Sequence, residues 1–106
     1  MAKYLAKVSY TAEGAKGVLK DGGSARRAAA EAAMKSVGGS VEAFYFAFGD
    51  TDAYVIAEAP DNVSAAAVSL AVSASGAGHA TITVLLTPEE LDQAAKKAIA
   101  YRPPGH

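Results

Sequence analysis

The chain has 106 residues, a formal net charge of −1 and no cysteine, and alanine supplies much of its 51% hydrophobic content. This length suits a single domain with a small core. The absence of cysteine excludes a disulfide framework, a thiolate nucleophile and the usual zinc sites, and we expect no metal and no other cofactor. A near-neutral charge without a basic run argues against nucleic acid or anionic membranes as partners.

No targeting or membrane-spanning segment is evident. Residues 1–4 lead directly into a predicted strand and lack the apolar stretch of a signal peptide. Charged residues and serines interrupt the helical segments, so no apolar run is long enough to cross a bilayer. We therefore expect a cytoplasmic protein with no membrane partner.

The first predicted strand covers residues 3–10, where the side chains alternate in polarity. Tyr4 and Val8 share its more apolar side, and Leu5 and Lys7 share the other. The strand therefore has one side for a core and one side of mixed character.

A short helical turn or irregular segment is expected over residues 15–20, before the first full helix. Ser24 is a suitable N-cap for a helix over residues 25–37. Its apolar side consists largely of alanine, so its packing should be close and thin. Gly38 and Gly39 end it, because glycine readily adopts the left-handed C-cap conformation.

Aromatic and β-branched runs at residues 41–48 and 52–59 flank a Gly/Asp/Thr cluster, which predicts a β-hairpin. We predict the register that places Phe46 opposite Val55, because a one-residue-shorter loop would bring two glutamates face to face. The phenylalanines then fill the space beneath the alanine-rich helices. The predicted core consists of Tyr4, Val8, Phe44, Phe46, Phe48, Ile82 and Val84.

Asp61 caps a second predicted helix over residues 62–75, which Gly76 ends, and a fourth strand follows over residues 80–86.

The last predicted helix has the strongest start signal in the chain. Thr87 and Glu90 form a capping box, and Pro88 takes the first helical position. The helix is expected to run to about Tyr101, and residues 102–106 form a loose tail.

This order of elements predicts an α+β fold with a ferredoxin-like βαββαβ antiparallel sheet and an extra C-terminal helix, in one domain over residues 1–101. Two helices can cover only one side of the sheet. The other side is too apolar for water alone, with Leu5, Ile56 and Leu85 among its polar side chains. We expect a second copy of the chain to bury it, in a homodimer or a larger assembly.

The candidate ligand-binding residues lie on that uncovered side. They are Lys7, Tyr45, Tyr54, Glu58 and His79. The first and third strands should be antiparallel neighbours, so we expect Lys7 and Glu58 to meet beside the tyrosines. The favoured interpretation of this pair is an ion pair in a dimer interface. The functional alternative is a site that holds a carboxylate or phenolic ligand, or an acid–base group.

His79 follows a glycine-rich turn, where it is either an acid–base group or haem ligand at a cavity mouth, or a turn residue that meets solvent. Asp50 and Asp52 are interpreted as turn formers, because a calcium loop needs more oxygen donors at set intervals.

The chain also resembles a known family, the GYD-domain proteins, over roughly residues 4–86. The residues that carry the resemblance are Thr11, Gly14, Arg26 or Arg27, Gly38, Gly39, Tyr45, Gly49, Asp52 and the run Glu58-Ala59-Pro60-Asp61. The chain departs from the family at Thr51, where the name-giving tyrosine stands in other members. The resemblance implies a bacterial protein that forms a dimeric α/β barrel, and it brings no established reaction.

Two functions remain open at this point. The first is an oligomeric domain that binds a small organic molecule on the sheet face, with or without weak catalysis. The second is a non-catalytic module whose sheet face only mediates assembly. Enzymatic activity is therefore left undecided, because fold does not select among these.

Overall fold

The computed structural model describes all residues 1–106 and is an α+β fold with a four-stranded antiparallel sheet and four helices. The strands are β1 Ala2–Tyr10, β2 Ser40–Phe46, β3 Ala53–Ala59 and β4 Gly78–Leu85. The helices are α1 Ala12–Asp21, α2 Gly23–Ser36, α3 Asn62–Ala74 and α4 Pro88–Ala95. No helix is both long enough and apolar enough to cross a membrane.

The strand order is β2-β3-β1-β4, which is compatible with the predicted ferredoxin-like arrangement. β1 is central and pairs antiparallel with both β3 and β4. Helices α2 and α3 pack on one face of the sheet, and no helix packs extensively on the other. We call the uncovered side the open face.

The core lies between the sheet and the two helices, and it is small. Its buried side chains are Tyr4, Met34, Ala57, Ala59 and Ala65. The predicted alternation along β1 is confirmed, because Tyr4 is buried with 3% of its surface exposed, whereas Lys7 is exposed. The Tyr4 hydroxyl donates a hydrogen bond of 2.7 Å to Oδ1 of Asn62, which satisfies the one polar group that this side chain carries inward.

Helix α1 is longer than the turn or irregular segment expected at this point. Thr11 caps it, since its hydroxyl oxygen accepts from the Gly14 amide at 3.1 Å. The same hydroxyl donates to the Gly76 carbonyl at 2.7 Å, and the Thr11 amide donates to the Ala77 carbonyl at 3.1 Å. Contacts with a distant loop therefore stabilise a segment whose glycines are poor helix formers.

The start of α2 was predicted wrongly. Gly22, with φ of 84°, occupies the N-cap position, and Ser24 lies inside the first turn. Gly23 is close to the Phe46 ring, and a side-chain carbon there would stand 2.8 Å from it. The predicted end is confirmed, because Gly38 has φ of 80° and its amide donates to the Lys35 carbonyl.

The predicted hairpin register was also wrong, by two residues. Phe46 pairs with Ala53, and a bulge at Glu42 shifts the pairing further along the hairpin. The turn is held instead by Asp52, whose carboxylate accepts from the Tyr10 amide at 2.7 Å. This contact joins the start of β3 to the end of β1, and β2 ends at Phe46.

The phenylalanines consequently do not fill the core as predicted. Phe48 lies beyond the strand and is fully exposed, Phe46 is 43% exposed, and Val84 is 52% exposed. Phe44 and Phe46 pack on each other, with ring centroids 5.1 Å apart, near the edge strand of the sheet.

The caps of the last two helices are confirmed. The Asp61 carboxylate accepts from the Ser64 amide at 2.8 Å, and the Thr87–Glu90 capping box is complete. Helix α4 ends at Ala95, earlier than expected, and every residue from 88 to 106 is exposed. We call residues 86–106 the C-terminal arm. With the arm, the Cα radius of gyration is 16.8 Å, compared with about 13 Å for a compact domain of this size.

Candidate functional site

The middle of the open face carries a row of polar and aromatic side chains. Tyr45 is paired with Tyr54 across β2 and β3, Tyr54 with Lys7 across β3 and β1, and Lys7 with Thr81 across β1 and β4. Residues paired in this way project from the same face of a sheet. All four side chains are exposed in the single chain.

His79 lies in the adjacent row, where it is paired with Ser9 and sits diagonally from Lys7. It belongs to β4 itself, whereas the sequence suggested a lead into that strand. We call Lys7, Tyr45, Tyr54 and His79 the polar cluster. It places two phenol hydroxyls, an ammonium and an imidazole on one face across all four strands, and each of these groups can hydrogen-bond to a carboxylate or a phenol.

Glu58 does not belong to this cluster, so the expected Lys7–Glu58 pair is wrong. Glu58 is paired with Lys3, and Lys7 is paired with Tyr54. Four residues separate the two positions along the strands, which corresponds to about 13 Å. The register between β1 and β3 sets this separation, and sequence patterns do not specify it.

The ion pair found on this part of the sheet is between Lys3 and Glu42. Their closest charged atoms are 2.9 Å apart. The hydrogen bond to Glu42 raises the pKa of the Lys3 ammonium, and the charges of Glu42 and Glu58 add to the effect. The bulge in β2 falls at Glu42, between Val41 and Ala43. This pair links β2 to β1 across β3, and Lys7 has no carboxylate within ion-pair distance.

A cavity of about 380 Å³ lies on the opposite side of the sheet, between α2, α3 and the inner strand residues. Twelve of its fifteen lining residues are hydrophobic, and Arg26 is the only charged one. The sequence interpretation missed this cavity. The signal was present in the alanines of α2, because small side chains leave space wherever larger ones do not enter from the facing strands.

A second hollow, of about 440 Å³, lies beside α3 and β4, near Tyr4 and Leu70. Neither of these two cavities is lined by the polar cluster. Nowhere in the chain do three histidine, aspartate or glutamate side chains come close enough together to hold a metal ion.

The family model described as the GYD domain matches residues 4–95. The chain belongs to the GYD domain family. The match covers β1 from residue 4 onward, the other three strands and all four helices of the domain. No similar sequence was found among curated proteins, and no similar chain among solved structures.

Several of the residues that carry the resemblance have structural roles in this GYD domain. Thr11 caps α1 and contacts the loop before β4, and Asp61 caps α3. Gly14 lies so close to the Ala77 carbonyl that a side-chain carbon would stand 1.8 Å from its oxygen. Asp52 binds the Tyr10 amide, as expected of a turn former. These positions maintain the fold and leave the polar cluster and Arg26 as candidates for function.

Proposed function

We propose that this GYD domain is a self-associating domain, in which two copies pack through their open faces and hold a small organic molecule at the polar cluster. The main support is the open face itself, where Leu5, Ile56 and Leu85 remain half-buried among exposed polar side chains in the single chain. An apolar surface of this kind in the centre of a sheet is typical of an interface. The proposed assembly is the dimeric α/β barrel that the family resemblance implies.

The open face is complementary to itself, which favours a second copy as its partner. β3 and β1 are the two middle strands, so a two-fold axis along the midline between them would superpose most of the two faces. In that arrangement Leu5 of one copy lies over Ile56 of the other, and Lys3 lies over Glu58. Two packed sheets cross at about 30°, so the contacts follow this pairing approximately.

The C-terminal arm is a second argument for association. Its large apolar side chains are exposed: Leu86, Leu91, Ile99 and Tyr101 each have 60% or more of their surface exposed. No element of the same chain packs extensively against α4. In the proposed dimer the arm reaches across to the partner, which would cover these side chains.

The polar cluster supplies the proposed ligand site within this assembly. Lys7 offers a positive charge, and Tyr45 and Tyr54 offer hydroxyl groups beside it. We propose a small aromatic carboxylate or phenol as the ligand, with weak acid–base chemistry at His79 as an extension of the binding function. The second copy would close the site from above.

Association is tested by placing a charge in the proposed interface. We expect Ile56→Lys to weaken self-association about a hundredfold or more, because an unpaired charge in an apolar interface is strongly unfavourable. Leu19→Lys is the matched control, since Leu19 is 87% exposed on α1 and lies away from the open face. Size-exclusion chromatography with light scattering gives the mass of each variant. Equal masses for both variants would contradict the proposed interface.

Ligand binding is tested with benzoate as the probe, by the rise in melting temperature that it causes. We expect Lys7→Met to abolish this rise and Glu58→Gln to retain it, because Glu58 lies about 13 Å from Lys7 along the strands. An equal rise in both variants would remove the polar cluster as the binding site.

A second candidate function is assembly without a ligand. The observation that favours it is that neither of the two cavities described above is lined by the polar cluster. A wild-type protein that associates but shows no thermal response to benzoate or to phenol would support this alternative over ligand binding.

A further inference from the structure

The cavity between α2, α3 and the sheet has the size and lining of a binding site separate from the polar cluster. Alanines of α2 and α3 form much of its wall: Ala29, Ala30, Ala33 and Ala71. Val55 and Phe44 approach from the sheet, and Met34 and Val68 from the helices. These side chains leave about 380 Å³ between them, in a domain where only nine residues are buried.

The cavity is open to solvent on one side, where Ala29, Ala71 and Ser75 are exposed. Water that enters it finds few polar partners, because the lining is almost entirely apolar. An apolar cavity of roughly 150 Å³ is large enough to bind benzene. The present cavity therefore accommodates an apolar molecule of about two such rings, or an alkyl chain of comparable size.

Arg26 indicates the polar end of that molecule. Its side chain is half-buried at the cavity and has no carboxylate within ion-pair distance anywhere in the chain. Its neighbour Arg27 points elsewhere and pairs with Glu31 at 3.6 Å. The other polar side chains of the lining are Tyr10 and Ser75, and the Ser75 hydroxyl already donates to the Val72 carbonyl at 2.6 Å.

We propose that this cavity binds an apolar molecule that carries a single carboxylate, such as a medium-chain fatty acid, with the carboxylate at Arg26 and the chain between α2, α3 and the sheet. One guanidinium matches one carboxylate, since the two groups form paired hydrogen bonds. A phosphate ester would need more donors than this lining offers. The site lies within one chain and does not depend on the proposed dimer.

Decanoate is the test ligand, and isothermal titration calorimetry measures its affinity. We expect Arg26→Gln to weaken decanoate binding about tenfold or more, which corresponds to the loss of a hydrogen bond to a charged group. Arg27→Gln is the matched control and should bind decanoate as the wild type does. Decanol has no charge and should bind both variants equally. Equal decanoate affinity in the two arginine variants would overturn the proposed role of Arg26.

A second pair of variants tests the cavity itself. Ala33→Leu adds volume inside the cavity, so it should abolish decanoate binding and raise the melting temperature of the unliganded protein. Ala32→Leu, on the exposed side of the same helix turn, should leave decanoate binding unchanged. Unchanged binding in Ala33→Leu would overturn the cavity as the site.

The interface variant separates this proposal from the proposed function. Ile56→Lys disrupts the open face but lies outside the cavity lining, so its decanoate affinity should equal that of the wild type. Loss of decanoate binding in that variant, with the fold intact, would contradict a site contained in one chain.

Discussion

The two faces of the sheet are built from alternate residues of the same strands, yet they differ in exposure at the two middle strands, β1 and β3. On the helix side, Tyr4 is 3% exposed and Val55 is 7% exposed. On the open face, Tyr54 is 39% exposed and Tyr45 is 71% exposed, although Tyr54 directly precedes Val55. One face therefore contributes to folding of the single chain. The open face contributes little to stability until a partner covers it.

The largest expected effect is a difference in the loss of stability between two tyrosine variants on opposite faces of the sheet. We expect Tyr4→Ala to lower the free energy of unfolding by about 4 kcal/mol, because it removes a buried aromatic ring and leaves a cavity. Tyr54→Ala, at a concentration where the chain is monomeric, should change it by no more than about 0.5 kcal/mol. Urea denaturation followed by circular dichroism measures both. Similar losses for the two variants would show that the faces are not energetically distinct.

The next largest effect is a difference in stability between variants of two glycines on α1. Gly14 packs against another segment, and Gly17 has no neighbouring atoms. Gly14→Ala should destabilise the protein by about 3 kcal/mol, since the added carbon would overlap the Ala77 carbonyl and the backbone must shift. Gly17→Ala should stabilise it by about 0.5–1 kcal/mol, because no atom lies within 4 Å and alanine favours the helix. Denaturation midpoints of the two variants give the comparison. We expect the two variants to change the free energy of unfolding in opposite directions. A change in the same direction would contradict the packing described for α1.

The smallest effect is a difference in acid sensitivity between two helix-cap variants, one at Asp61 of the packed helix α3 and one at Glu90 of the C-terminal arm. Hydrogen bonds from Ser64 lower the pKa of Asp61 below its ordinary value of 3.8, and those from Thr87 lower the pKa of Glu90. A lowered folded-state pKa stabilises the protein above the ordinary value, and this contribution is lost as the pH falls through the folded-state pKa.

Asp61→Asn should therefore make the melting temperature less sensitive to acid in this range. Glu90→Gln should leave the acid sensitivity of the domain unchanged, because α4 packs extensively on no other element. Thermal melts at a series of pH values compare both variants with the wild type. An effect of Glu90→Gln as large as that of Asp61→Asn would mean that the arm unfolds together with the domain.

Sequence patterns predicted the features that depend on neighbouring residues. The alternation along β1, the caps at Asp61 and Thr87 and the left-handed Gly38 all follow from local chemistry, and each is present in the structure. The same local signals predict the order of the strands. That order gives a sheet with helices packed on one of its faces.

Features that depend on distant contacts were predicted wrongly or missed. Asp52 beside the hairpin turn is bound to the Tyr10 amide of β1, and α1 is bound through Thr11 to the loop that contains Ala77, so both segments involve residues far away in the chain. The Lys7–Glu58 pair failed because its formation depends on the β1–β3 register. The cavity near Arg26 was missed because Phe46 and Phe48 were expected to fill the space beneath the helices, whereas both are exposed.

Most of the proposed function requires that the open face packs against a second copy of the chain. Sedimentation equilibrium of the unmodified protein over a dilution series measures this directly. We expect the mass of two chains at micromolar concentrations, falling toward that of one chain on dilution. The mass of one chain at every concentration would contradict the claim and leave Leu5 and Ile56 exposed to solvent in the functional state.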